Sequence, residues 1–313
     1  MQIVRYNQEM ATEIATLIED SFAQYRNTTP ITFLECTEPW TPRRELLDTL
    51  ASDRVDPRAS HVALQGGKPV SAAMAVRSED GCGWWRIATA AEHRRRGLAS
   101  ACVEAGESAL REDGVRSVGT EAVVDSRWDA AETWLRSLGY ELEDPEKRNI
   151  TMVAPDWSPR QVEWPDGFSL DTLREEDLDE WIAVRNEVFG SDHDTAWFRT
   201  RFMDRPDFDE SGWKIVRHEG RMIGISSAVC VEDERDPEHL RGAQIEWVGV
   251  LEEFRGLRLG EKLVVACMNY AAERGFLPIL LITQPFRVPA ISLYEKLGFR
   301  TTAAWHSWRH DLS

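Results

Sequence analysis

The sequence lacks most of the devices that announce a simple function. Its five cysteines, Cys36, Cys82, Cys102, Cys230 and Cys267, form no Cys-x-x-Cys pair and meet no histidine at metal-ligand spacing, so neither a zinc site nor a disulfide framework is expected. The seven histidines are dispersed, and His193, between Asp192 and Asp194, reads as a loop feature. No Gly-x-Ser-x-Gly elbow and no Cys/His nucleophile spacing occurs. There is no run of about 18 apolar residues, hence no expected membrane helix or membrane partner. Met1–Tyr6 carries no basic leader ahead of an apolar core, and the expected location is a reducing cytoplasm. Positive charge is short: 37 Lys and Arg stand against 54 Asp and Glu, a formal net charge of −17, which argues against nucleic acid as a partner.

What the chain does have is one pattern written twice. Arg94-Arg95-Arg96-Gly97-Leu98-Ala99 lies in the first half and Arg255-Gly256-Leu257-Arg258-Leu259-Gly260 in the second, each between a strand-like run and an amphipathic helix. Further on, each is followed by a helix ending in Leu-Gly-aromatic, Leu138-Gly139-Tyr140 and then Leu297-Gly298-Phe299. The copies keep register to within two residues, so the period is one domain. A strand feeding at once into a helix leaves first-turn N–H groups unpaired, and small residues there let a diphosphate approach the backbone. The helix dipole and the flanking arginines favour an anion at the same spot.

Periodicity supplies the elements between these cradles. In the first half a strand at Ile3–Tyr6 precedes a helix whose Ile14, Leu17, Ile18 and Phe22 share a face, and a second helix starts near Pro42. Strands are expected at 61–65, 70–77, 84–90, 117–124, near Tyr140 and at 149–153, with a hairpin turn at Gly66-Gly67-Lys68-Pro69. The second half repeats this order, with strands at 168–173, 214–217, 222–231, 244–250 and 279–283. Its helices are expected over 175–189, 259–274 and 289–297. The first of them carries the stripe Leu178, Trp181, Ile182, Arg185, Val188 and Phe189. A Pro-rich stretch between the halves reads as a linker.

Arg-x-x-Gly-x-Gly/Ala followed by Ala-x-x-x-Tyr-x-x-x-Gly-Phe resembles the GNAT superfamily of acyl-CoA-dependent N-acetyltransferases, and the resemblance covers nearly the whole chain. It implies an α/β fold of two tandem GNAT domains, each a mixed, mostly antiparallel sheet flanked by helices. The domains expected are 1–155, a linker 156–167, and 168–313. The tandem layout is similar to that of two-domain members of the mycothiol synthase type, with transfer in the second half.

Comparing the copies position by position assigns roles that the resemblance implies. Nine residues before Arg255 stands Glu246, where the family carries a general base; the first half has Trp85 there. Four residues before the closing glycine stands Tyr294, where the family places the tyrosine that protonates the departing thiolate; the first half has Leu135. Glu246 and Tyr294 are therefore the candidate catalytic pair. The backbone of Val248 and Val250 would pair with the pantetheine arm, and Arg255, Gly256, Leu257, Arg258, Leu259, Gly260 and Glu261 would hold the pyrophosphate. Arg94, Arg95, Arg96, Gly97, Leu98 and Ala99 form the first cradle, which would bind acetyl-CoA without turnover, be a structural relic, or serve a second active site whose residues the sequence does not identify. Arg258 departs from the family's first glycine, and Trp128 and Arg287 stand where an asparagine is common.

The expected activity is N-acetyl transfer from acetyl-CoA, with no metal, to the amine of a small molecule. A non-catalytic acyl-CoA sensor and a protein-lysine acetyltransferase are the competing readings. Trp197, Trp213 and Trp305, with the loops 191–208 and 233–242, are candidates for substrate contact.

Overall fold

The computed structural model describes residues 1–26, 43–77, 83–125, 129–204, 208–232 and 241–313. Trp128 and most of the 233–242 loop lie outside them. The chain divides into two compact units. One comprises Met1–Ile150, Gln284–Phe286 and Ala303–Ser313, the other Thr151–Thr283 and Arg287–Thr302.

The first unit opens with β1 (Gln2–Arg5), α1 (Ala11–Arg26), α2 (Arg43–Ala51), β2 (His61–Gln65), β3 (Lys68–Arg77) and β4 (Gly83–Thr89). The hairpin turn between β2 and β3 is two residues, tighter than the four-residue reading. Gly66 and Gly67 both adopt positive φ, 59° and 81°, the conformation that a two-residue turn of this hand requires. After β4 come α3 (Leu98–Glu112), β5 (Ser117–Asp125), α4 (Asp129–Ser137), β6 (Glu141–Leu142) and β7 (Asn149–Ala154). Strands β1 to β4 form an antiparallel meander, and β4 pairs in parallel with β5. One face of this sheet buries Ile14, Ile18, Leu46 and Leu50 from α1 and α2. The other buries Leu98, Cys102, Val103 and Leu110 from α3.

The second unit holds β8 (Phe168–Thr172), α5 (Leu178–Phe189), α6 (Thr195–Phe198), β9 (Trp213–His218), β10 (Arg221–Glu232) and β11 (Arg241–Val250). These are followed by α7 (Leu259–Glu273), β12 (Ile279–Thr283) and α8 (Val288–Lys296). Strands β8 to β11 are again antiparallel neighbours, and β12 joins β11 in parallel. Gly190 ends α5 in the left-handed conformation, φ 65°. The mixed α/β architecture expected from the duplication is thus present in both units.

Periodicity did not reveal the last strand, β13 (Arg300–Asp311). Its Ala303–Asp311 portion belongs to the first unit, where it runs antiparallel beside β5. The corresponding place in the second unit, beside β12, is taken by β7. Each sheet is therefore completed by a strand from the other half of the sequence. Trp308, fully buried with Leu135, Tyr140 and Leu312, is the main apolar contribution of β13 to the first core. Truncating so large a buried ring costs about 3–5 kcal/mol. Trp308→Ala is expected to lower stability by that order in urea unfolding, despite lying at the far end of the chain from the core it serves.

Candidate active site

The two cradles share one backbone. Each follows a single 3-10 turn, Ala91–His93 or Glu252–Phe254, and each then carries two left-handed residues before its helix. These are Arg95 (φ 62°) and Gly97 (φ 74°) in the first copy, Gly256 (φ 85°) and Arg258 (φ 58°) in the second. Each copy thus has one glycine and one arginine at these two places, in opposite order. The arginine departing from the family pattern adopts the same backbone conformation as the glycine it replaces. Its side chain turns away to the surface and grips Glu261 through two hydrogen bonds of 2.9 and 2.6 Å, which holds that carboxyl below its usual range.

Buried leucines, Leu98 and Leu259, anchor the first residue of each helix. Neither helix receives a side-chain hydrogen bond at its N-cap, so the first-turn N–H groups keep their donor capacity. A Cβ built at Gly256 or Gly260 meets nothing within 4 Å, which leaves open space in front of the second cradle. These residues fit the diphosphate of a coenzyme.

The arginines that lead each cradle behave alike at one end. Arg94 Nε donates to the Thr89 carbonyl and Arg255 Nε to the Val250 carbonyl, both at 3.2 Å. They differ at the other end, because Arg94 also donates through Nη2 to the Ser21 carbonyl of α1 at 2.6 Å. Part of its guanidinium is already engaged by the chain, whereas the Arg255 side chain is exposed.

The strand before each cradle separates the copies more sharply. In the first unit β3 and β4 pair without interruption from Ser71↔Thr89 to Arg77↔Gly83. In the second, Ile225 faces Gly249 and Ser227 faces Glu246, so two residues of β11, Trp247 and Val248, oppose one of β10. Trp247 takes φ 55° to make this bulge, a costly conformation for a bulky residue. Ser226 and Ser227 direct hydroxyls at the Glu246 carbonyl, at 3.4 and 3.5 Å. Gly249 is required where the bulge meets α5, because a Cβ there would sit 2.7 Å from Val188.

Past the bulge the sheet opens. Among the described residues the parallel pairing of β11 with β12 runs only from Ala243↔Ile279 to Ile245↔Leu281. The remainder of β11, from Glu246 to Val250, has no partner strand on that side, which leaves Val248 and Val250 placed to pair with an extended ligand. Glu246 is half-buried and accepts a hydrogen bond from Gln244 Nε2 at 2.9 Å. Tyr294 lies on α8, almost buried, with its ring 5.9 Å from that of Phe299. Burial pushes its phenol up to about 12, partly offset by the charge of Arg287.

The matching positions of the first unit are closed. Trp85 is buried and donates through Nε1 to Tyr140 Oη at 2.6 Å; Tyr140 in turn donates to Glu107 at 2.7 Å. His310 lies 3.0 Å from the same carboxylate and Arg111 3.3 Å from its other oxygen. Leu135 is buried in the same core.

Of the tryptophans expected to line a groove, two do not. Trp213 packs against Trp181, Phe198 and Phe202, and Trp305 is fully buried in the first unit. Trp197 remains, stacked on His193 at 4.2 Å. Among the described residues no group of histidine, cysteine and carboxylate side chains is arranged for a metal ion. Cys102, Cys230 and Cys267 are free thiols, and no helix is long and apolar enough to cross a membrane.

An uncapped helix N-terminus beside a splayed parallel strand pair is an arrangement suited to a phosphate-bearing coenzyme at the opening of a sheet. The acetyltransferase (GNAT) family model matches residues 18–140 and again residues 170–299, and the chain belongs to that family. It is an acetyltransferase, and acetyltransferases of this family use acetyl-CoA as acyl donor.

Similar sequences include a mycothiol acetyltransferase of Pseudarthrobacter chlorophenolicus, 28% identical over 72% of this chain and 70% of that protein. Another from Acidothermus cellulolyticus is 26% identical over 79% and 75%. The fold is similar to that of a tandem GNAT protein from the clavulanic acid biosynthesis pathway, with TM-score 0.72, 17% identity and coverage of 100% and 98% of the two chains. A GCN5-related N-acetyltransferase from Sphaerobacter thermophilus gives TM-score 0.71 at 18% identity, covering 99% and 95%.

A left-handed arginine costs on the order of 1 kcal/mol relative to glycine. Arg258→Gly is therefore expected to leave thermal stability unchanged or raise it by a few degrees. A marked fall in Tm would show that the exposed pair with Glu261 outweighs backbone strain.

Proposed function

We propose that the second unit carries acetyl transfer to the amine of a small molecule and that the first unit does not turn over. The observation that carries this reading is the bulge at Trp247 beside Glu246, set against the uninterrupted ladder and the buried Trp85 of the first unit.

Acetyl-CoA supplies the acyl group as a thioester. Val248 and Val250 offer backbone groups to its extended arm, while Arg255 and the N–H groups from Gly256 to Glu261 hold its diphosphate. The Arg258 guanidinium neutralises Glu261 at the rim, removing a carboxylate charge that would oppose a phosphate. Glu246 takes the proton of the ammonium substrate, directly or through water, because only the neutral amine is nucleophilic. A backbone N–H near Val250 stabilises the oxyanion that develops as nitrogen attacks. Tyr294 delivers a proton to the sulfur as the C–S bond breaks, and the second proton that nitrogen loses in forming the amide returns to the phenolate through water.

Because burial raises the Tyr294 phenol to about 12, the protonated form persists below that value and is lost only as pH rises through it. The rate should thus show no fall attributable to this group up to about pH 10. Glu246→Gln and Tyr294→Phe are each expected to lower kcat by roughly ten- to a thousand-fold with coenzyme affinity nearly intact. Unchanged rates in both variants would remove the assignment.

The number of coenzyme sites is tested by native mass spectrometry with acetyl-CoA. A Cβ at Gly260 meets nothing within 4 Å, and Gly260→Glu puts a carboxylate in the second cradle; Ala99→Glu puts one in the first. Loss of binding with Gly260→Glu, and turnover surviving in Ala99→Glu, are the expected outcomes. Turnover lost only with Ala99→Glu would transfer the chemistry to the first unit.

A further inference from the structure

One residue in the apolar stripe of α5 is an arginine. Arg185 is only 5% exposed, and its guanidinium lies in the corner of two nearly perpendicular indoles, 4.4 Å from the ring of Trp197 and 4.3 Å from that of Trp247. Nη1 donates to Ser191 Oγ at 2.6 Å and to Asn186 Oδ1 at 3.4 Å. Asn186 in turn fastens the turn after α5, with Nδ2 donating to the His193 carbonyl at 2.8 Å and Oδ1 accepting from the His193 N–H at 3.1 Å. The arginine is thus held by two rings on adjacent sides and by hydrogen bonds at Nη1.

Its other edge is not satisfied. Nε is buried without a hydrogen-bond partner, as is the indole Nε1 of Trp247. Among the described residues no carboxylate lies within ion-pair distance of Arg185. Desolvation alone acts on it, lowering its proton affinity. A buried cation without a counter-charge is costly, and in a chain of net charge −17 carboxylates are not scarce. The unsatisfied groups are both donors and the net charge is positive. An acceptor-only anion with two oxygens, a carboxylate, meets both conditions. The location joins this to the chemistry, since Trp247 is the bulged residue next to Glu246.

We propose that Arg185, framed by Trp197 and Trp247, binds a carboxylate of the acceptor, so that the substrate is an amine bearing an acid group, of the amino-acid type. This rests on acetyl transfer in the second unit, and it names the substrate class of that site.

The test uses the full-length chain, acetyl-CoA and matched pairs of acceptors that differ only at the acid: phenylalanine and phenylalaninamide, 4-aminobutyrate and 4-aminobutanamide, 6-aminohexanoate and 6-aminohexanamide. For at least one pair, kcat/KM for the acid should exceed that for the amide by about tenfold or more, the scale of a hydrogen bond to a charged group. The ratio should fall to near one in Arg185→Met, which has similar bulk and no charge; Arg185→Lys, which keeps the cation, serves if the methionine variant does not fold. Equal values for acid and amide in every pair, or a ratio that survives in Arg185→Met, overturns the proposal while leaving acetyl transfer standing.

If no amine is acetylated, transfer to small amines fails as a reading, and the carboxylate site is judged by the emission of the two flanking indoles. A saturable change with the acids, absent with the amides and absent in Arg185→Met, supports the site. No such change overturns it.

Discussion

The second unit depends on keeping two parallel strands apart. A parallel pair left to itself continues its ladder, because every unpaired backbone group near the interior is costly. Here the ladder stops at Ile245↔Leu281. The next residues of β11 are diverted by placing Trp247 at φ 55° and giving two residues the space of one. Gly249 lets α5 close over the bulge, and the Ser226 and Ser227 hydroxyls approach the displaced carbonyl of Glu246. The opening therefore has supports on several sides, as local strain requires if it is to persist.

The first unit shows the same frame without the bulge. Its parallel pairing also covers only two positions, Gly83↔Val118 and Trp84↔Gly119. There the ladder to β3 is continuous, and the space near the strand end belongs to an indole hydrogen-bonded to Tyr140. Gly106 of α3 must lack a side chain because a Cβ would lie 2.6 Å from that indole. The buried chain from Trp85 through Tyr140 to Glu107 and His310 leaves its polar groups mutually satisfied, the condition under which such a network stabilises a core. His310 comes from the last strand, which ties the closure of the first unit to the final residues of the chain.

Much of this was legible in the residues. The cradles, the helices after them and most strands followed from short-range signals: apolar period, turn glycines and the duplicated Arg-x-x-Gly spacing. The strand β13 was not legible because its own phase breaks. Ala303 and Trp305 alternate as a half-buried strand should, but the next buried residue is Trp308, and the register shifts between His306 and Trp308. A bulge moves side chains to the opposite face and removes the period-two signal. The exchange of strands between halves leaves no local trace either, since pairing partners some 190 residues apart share no composition rule. For Arg185 the signal was visible as a charge inside an apolar stripe, but the absence of a counter-charge could be seen only with the neighbouring segments in place.

Bulge, strand opening and buried arginine are one arrangement rather than three features. The bulge turns Trp247 so that its ring meets Arg185 and Phe189 on α5, while Glu246, one residue earlier, stays beside Gln244. A single irregularity in β11 thus lies beside the unpaired strand edge at Val248 and Val250, next to the Glu246 carboxylate, and walls one side of the corner that holds Arg185. The first unit has no such irregularity between β3 and β4. Duplication supplied two copies of the cradle, and the interruption of the strand before the second is what separates them most sharply.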